Sequence, residues 1–173
     1  MNEEQQLIYN ELISQYNFTQ WQKDEIESGL QKGLEVSWYS KPEFDWLQMG
    51  LIRWGLEQGL DVSIYAKAEY NANQMNEIGM GLKRKLEVSI YTKPEFTWEQ
   101  MEQIRKGLKD NLDVTIYAKV EFNDWQMAEI RYGLEDNLDV SIYANPRFSF
   151  FRMQQIRLGL EQNLDVSWYA RPE

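Results

Sequence analysis

The feature that most limits what this chain can fold into is its period. Tyrosine recurs as Tyr39, Tyr65, Tyr91, Tyr117, Tyr143 and Tyr169, in steps of 26 residues. Gly29, Gly55, Gly81, Gly107, Gly133 and Gly159 keep the same step, and so do Ile26, Ile52, Ile78, Ile104, Ile130 and Ile156. Six units succeed one another without an insertion. Self-similarity of this length marks a stacked array, in which a unit buries its apolar face only against its neighbours. The array spans residues 18–173. A capping helix is expected over 1–17, with Leu7 or Ile8, Leu12 and Tyr16 facing the first unit. The sequence ends at a unit boundary, "YARPE", where the period leads one to expect a further long helix.

One unit, "FDWLQMGLIRWGLEQGLDVSIYAKAE" from Phe44 to Glu69, shows how each is built. At 100° per residue, Trp46, Met49, Ile52 and Leu56 share a helical face. The residue before this helix is Thr19, Asp45, Asn71, Thr97, Asn123 or Ser149, each able to accept a bond from an orphan backbone N–H. Three residues on stand Gln22, Gln48, Gln74, Gln100 and Gln126, which complete a capping box; only Arg152 breaks the column. The position after the helix is Gly33, Gly59, Lys85, Asn111, Asn137 or Asn163, the chemistry of a left-handed C′ residue, with Lys85 the exception, expected to be strained or differently capped. A leucine comes next, placed for a Schellman motif. Then an acid (Glu35, Asp61, Glu87, Asp113, Asp139, Asp165) suits the start of a short helix, and Pro42, Pro94 or Pro146 stops that helix.

The expected fold class is therefore all-α: an α-solenoid of six 26-residue units, each a long helix plus a short one. "LDVSIYA" also alternates apolar and polar residues with period two, so a strand-plus-helix solenoid like a leucine-rich horseshoe is the alternative. Glycine in mid-helix costs about 1 kcal/mol relative to alanine. On the helical wheel Gly55 lies on the flank, so its expected role is to let backbones of adjacent units approach closely. The recurring tyrosine is expected to bury its ring and bond its hydroxyl, with an aromatic ligand ladder as the sharper alternative. Trp38 and Trp168, in the first and last short segments, are expected to cover the ends.

Repeated columns build the scaffold, so function is sought where units differ on the outward face. Leu47, Leu51 and Trp54, then Trp125 and Tyr132, then Phe151 and Leu158 place large apolar groups there, whereas the third and fourth units are largely polar. Trp and Tyr are frequent interface anchors, which makes these seven residues candidate contacts for a protein partner. Arg53, Arg105, Arg131 and Arg157 lie near the core direction. They are expected to pair with an acid column such as Glu43, Glu69, Glu95 and Glu121, or with carbonyls, or else to form an anion-binding ladder.

Composition excludes several chemistries. The chain has no cysteine and no histidine, hence no thiolate nucleophile, no imidazole base and none of the common soft metal ligands. No glycine-rich phosphate loop occurs, and the recurrent acids are accounted for as caps. The expectation is a protein that is not an enzyme and uses no cofactor or metal. A net charge of −10, from 18 basic and 28 acidic residues, argues against direct nucleic-acid binding and permits an acidic DNA mimic instead. Capture of a small anionic ligand by the arginines and tyrosines is a further alternative. The N-terminus lacks the basic and apolar regions of a signal peptide, and no apolar run is long enough to span a membrane, so a cytoplasmic location is expected.

The motif "YxKPEFxWxQMxxIRxGLxxxLDVSxY", carried here by "YSKPEFDWLQMGLIRWGLEQGLDVSIY" and the copies after it, resembles a short tandem repeat of Firmicutes phage and conjugative-element proteins. The resemblance covers about residues 18–173. It implies a mobile-element context, with inhibition of a host defence effector, of anti-CRISPR or antirestriction type, as the implied activity. It brings no catalytic residues. The third unit departs most, with Ala68 for Pro, Ala72 for Trp and Gly79 for Arg, and is expected to be the least rigid.

Overall fold

A computed structural model describes residues 1–171; Pro172 and Glu173, at the end of the sixth unit, lie outside the described residues. Among the described residues no strand occurs. The long helices are α1 (Glu3–Gln15), α2 (Gln20–Gln31), α3 (Trp46–Glu57), α4 (Ala72–Lys83), α5 (Trp98–Lys109), α6 (Asp124–Glu135) and α7 (Phe150–Glu161). The short segments Val36–Trp38, Val62–Ile64, Val88–Ile90, Val114–Ile116 and Val140–Ile142 are single 3-10 turns. The fold is the all-α solenoid expected from the period, and the strand alternative falls away. It falls because each "VSIY" segment comes just after an αL residue and closes on itself, as in Tyr65 N–H to Val62 O at 3.0 Å and Ala66 N–H to Val62 O at 2.8 Å.

The chain divides into two compact halves, Met1–Lys85 and Leu86–Glu173. In the first, α1 packs on α2, α2 on α3 and α3 on α4; in the second, α5 packs on α6 and α6 on α7. Each helix begins where its local chemistry requires. Thr19, Asp45, Asn71, Thr97, Asn123 and Ser149 all cap, and the capping box closes wherever glutamine stands three residues on. That glutamine has a second use invisible in the local pattern. Its amide donates to a carbonyl of the next unit: Gln22 to Phe44 O at 2.7 Å, Gln48 to Tyr70 O at 2.7 Å, Gln126 to Phe148 O at 2.6 Å. One buried side chain thus caps a helix start and staples neighbouring units, and its polar atoms stay satisfied.

Helix ends are equally regular. Gly33, Gly59, Lys85, Asn111, Asn137 and Asn163 all adopt left-handed φ, from 55° to 68°. Leu60 N–H reaches back to Gly55 O at 2.9 Å and Gly59 N–H to Leu56 O at 3.0 Å, the paired bonds of a Schellman motif. Asp61, Asp113, Asp139 and Asp165 then accept from the backbone N–H two residues on. Glu35 and Glu87, one methylene longer, bond only the hydroxyls of Ser37 and Ser89.

The glycine column has a different cause from the one expected. A Cβ on Gly55 would overlap the Tyr65 hydroxyl and stand 2.9 Å from Val62 Cγ1; on Gly133 it would overlap the Tyr143 hydroxyl and stand 2.9 Å from Val140 Cγ1. What approaches the glycine is therefore the tyrosine of its own unit, not a neighbouring backbone. Tyr39, Tyr65, Tyr117 and Tyr143 are fully buried and donate to the carbonyls of Glu25, Leu51, Gln103 and Glu129 at 3.1–3.3 Å. Those carbonyls lie one helical turn before each glycine. The glycine makes room for a phenol to lie across its helix and pin the 3-10 turn to it. Burial pushes these phenols well above the ordinary tyrosine range.

Three packing expectations need correction. Met49 and Ile52 are sealed, but Trp46 is exposed and Leu56 only half-buried. A helical side chain lies over the turn before its own Cα, and at the first helical position no such turn exists. In α1 the inward residues are Gln5, Tyr9, Leu12 and Ile13, while Leu7 is 70% exposed and Ile8 also faces solvent; Tyr16 is partly exposed but its ring lies 5.7 Å from buried Phe18 of the first unit. The helix is oriented by a polar contact, Gln5 Nε2 donating to Leu30 O at 2.5 Å, which apolar patterning alone does not reveal. Trp168 is mostly in solvent, edge-on against Tyr169 at 4.9 Å, and Trp38 is half-buried.

Candidate functional site

The arginine column is an internal ladder. Arg53 Nε donates to Glu25 on the preceding long helix at 2.7 Å, and its Nη1 pairs with Glu57 one turn on. Arg157 makes the same pair of bonds, to Glu129 at 2.8 Å and to Glu161. Arg131 bonds Gln103 at 3.1 Å and pairs with Glu135. Arg105 is buried as well. The partners of these three are thus not Glu43, Glu69, Glu95 or Glu121 but residues 28 positions earlier and four positions later. Burial alone would lower the guanidinium pKa of Arg53 and of Arg157, but the flanking carboxylates outweigh it and raise both. An anion would have to displace those carboxylates from Arg53, Arg131 or Arg157.

The third unit departs from this ladder in a correlated way. Gly79 stands where the arginine would be, and Leu51 stands where its acid partner would be. A Cβ at Gly79 would come 2.9 Å from Trp54 Cζ3, so the Trp54 indole lies directly over the glycine. Lys83 Nζ sits 5.5 Å from the same ring. Apolar packing thus replaces an ion pair, and α4 keeps its caps and its length of 12 residues. Trp54 and Leu51 are half-buried scaffold residues in this setting, as is Leu158 near the other end.

Several exposed apolar groups gather at helix starts. In the first half, Trp21 and Trp46 stack at 5.6 Å beside exposed Leu47. In the second, Trp125 lies 5.7 Å from Phe150, and Phe150 lies 3.9 Å from Phe151. Trp125 is 62% and Phe151 65% exposed. Outward-facing positions identify Leu47, Trp125 and Phe151, but a helical wheel misses Trp21's partner Trp46, and Phe150 and Trp98. Their sequence signal is position: each is the first residue after an N-cap.

Beside Trp125 the surface dips into a cleft of about 420 Å³ over α5, α6 and α7. Trp125, Tyr132 and Phe150 supply its aromatic lining, and Glu99, Glu102 and Asp124 bring carboxylates to it. Glu129 also lines it but is buried and paired with Arg157. Glu102 pairs with Lys106 at 3.1 Å. Among the described residues no cation is paired with Glu99 or Asp124. The Tyr132 ring already carries two guanidiniums, Arg131 Cζ at 4.5 Å and Arg157 Cζ at 5.5 Å from its centroid. Trp125 carries none.

Among the described residues no group of three acids is placed to hold a metal ion, and no helix is long and apolar enough to cross a membrane. No protein-family model matches the chain, and no curated protein or solved structure matches it either.

Proposed function

We propose that this chain is a non-catalytic repeat scaffold that binds a protein partner through the aromatic face at the starts of α6 and α7. The observation that carries this is the run Trp125, Phe150, Phe151, whose rings touch one another while the two outer ones stay mostly in solvent. Nothing in the fold calls for them there. The columns of Phe150 and Trp125 hold Gln20 and Asn73 in other units, with caps intact. Large exposed aromatics in contact are disfavoured on a surface facing water alone and are typical anchors of an interface. Binding to a defence effector in the cytoplasm of a bacterial host, in a mobile-element context, is the setting that the repeat resemblance favours.

This account is preferred to DNA mimicry because one of the regular acid columns is engaged in capping, as at Asp61, Asp113, Asp139 and Asp165. It is preferred to capture of an anion because the forks of Arg53, Arg131 and Arg157 already hold partners. The test is retention of proteins from a bacterial host lysate by the immobilised chain, run in parallel with Trp125→Ser/Phe151→Ser. A partner bound by this face is lost in the variant while the circular dichroism is unchanged. Its retention should survive a rise in salt from about 0.1 M to about 1 M, which shortens the screening length from ~10 to ~3 Å. Equal retention by both proteins, or complete release by salt, would refute the proposal.

A further inference from the structure

The cleft beside Trp125 has a chemistry of its own. Its aromatic side includes an open indole, and two of its carboxylates lack a cation. Those carboxylates are not a requirement of the helix starts they occupy. The columns of Glu99 and Asp124 hold Trp21 and Trp46 in the first half, where the two indoles stack on each other. The same fold therefore builds an apolar strip in one place and an aromatic cleft with an acidic rim in the other. An aromatic face draws a cation toward its centre, and carboxylates beside it add to that attraction.

We infer that this cleft receives an arginine side chain from a basic segment of the partner. This rests on the protein-binding role of the Trp125 face. The expected pose stacks the guanidinium on Trp125 and aims its N–H groups at Glu99 and Asp124. Arginine fits better than lysine because a flat, weakly hydrated fork can stack and donate to two acceptors together, whereas an ammonium is a hydrated point charge. The molecule uses the same device internally, where Tyr132 lies against the guanidiniums of Arg131 and Arg157 while each is also paired with a glutamate. Charge complementarity runs in the same direction, since a chain of net charge −10 attracts a basic segment.

The test uses the whole chain and three short peptides of equal length, rich in arginine, in lysine and in citrulline. The readout is the chemical shift of the Trp125 indole N–H, assigned with Trp125→Phe. The arginine peptide should move this signal and bind about tenfold more tightly than the citrulline peptide, a factor worth ~1.4 kcal/mol. The lysine peptide should bind more weakly than the arginine one. Glu99→Gln/Asp124→Asn should lose about that same factor for arginine and nothing for citrulline. Equal binding of arginine and citrulline, equal binding of arginine and lysine, or no shift at all would overturn the inference. The same variants applied to the retained partner separate the two claims. Loss with Trp125→Ser/Phe151→Ser but not with Glu99→Gln/Asp124→Asn keeps the aromatic face and removes the arginine. Loss with neither removes both.

Discussion

Replacing Gly133 with alanine sets two large effects against each other. Alanine in mid-helix should gain about 1 kcal/mol from propensity. The added methyl would overlap the Tyr143 hydroxyl and lie 2.9 Å from Val140 Cγ1 and 3.2 Å from Tyr143 Cζ. Overpacking of this kind costs about 1–3 kcal/mol. Eviction of the phenol also breaks its bond to Glu129 O, 3.1 Å long, for about 1 kcal/mol more. The clash involves a rigid ring wedged between helix and 3-10 turn, so its cost should fall at the upper end and exceed the gain. The net expectation is a loss of about 3 kcal/mol. The decisive comparison is a double-mutant cycle with Tyr143→Phe, read by urea unfolding monitored by circular dichroism. Removing the hydroxyl alone should cost about 1 kcal/mol. Removing it in the alanine background should cost nothing or restore stability, because the atom that clashes has gone. A coupling energy of about 1–2 kcal/mol in favour of the double variant is expected; additivity within about 0.5 kcal/mol would refute the glycine–tyrosine account.

Two further predictions concern strain and titration. Lys85 is held at φ 57°, where its column elsewhere uses glycine or asparagine, so Lys85→Gly should stabilise the chain by about 1 kcal/mol in the same urea assay. Buried Tyr39, Tyr65, Tyr117 and Tyr143 have raised pKa values, so above about pH 10 the unfolded chain releases phenolic protons that the folded chain retains. Their contribution to stability is whole below that pH and is lost as pH rises toward the folded-state values; tyrosinate absorbance should therefore appear together with loss of helix rather than before it.

What could be read from the sequence was what the chain decides locally. N-caps such as Asp45, left-handed ends such as Asn111 and the acid at Asp61 act over two to five residues, and each stands where its chemistry predicts. What joins distant segments was harder to see. Gly133 and Tyr143 recur together, but a helical wheel gives only the direction of the glycine, not the identity of what fills the space. The partner of Arg53 is Glu25, a full unit and two residues away, and the nearer acid column at Glu43 was the more obvious choice. One hint stands inside the sequence: where Gly79 replaces the arginine, Leu51 replaces the acid, although Gln103 replaces it too where Arg131 is kept. On the outer face Trp125 and Phe151 stand exposed as expected. Trp46 and Phe150 do not obey the wheel, because the first residue of a helix has no preceding turn to lie on.

The most direct test of the binding face is hydroxyl-radical footprinting of the chain, alone and saturated with the partner it retains. Trp125, Phe150 and Phe151 should react in the free chain and become protected together in the complex, with buried Tyr143 unreactive in both. Oxidation of Trp125 and Phe151 at the same rate with the partner bound, and protection elsewhere, would contradict the account.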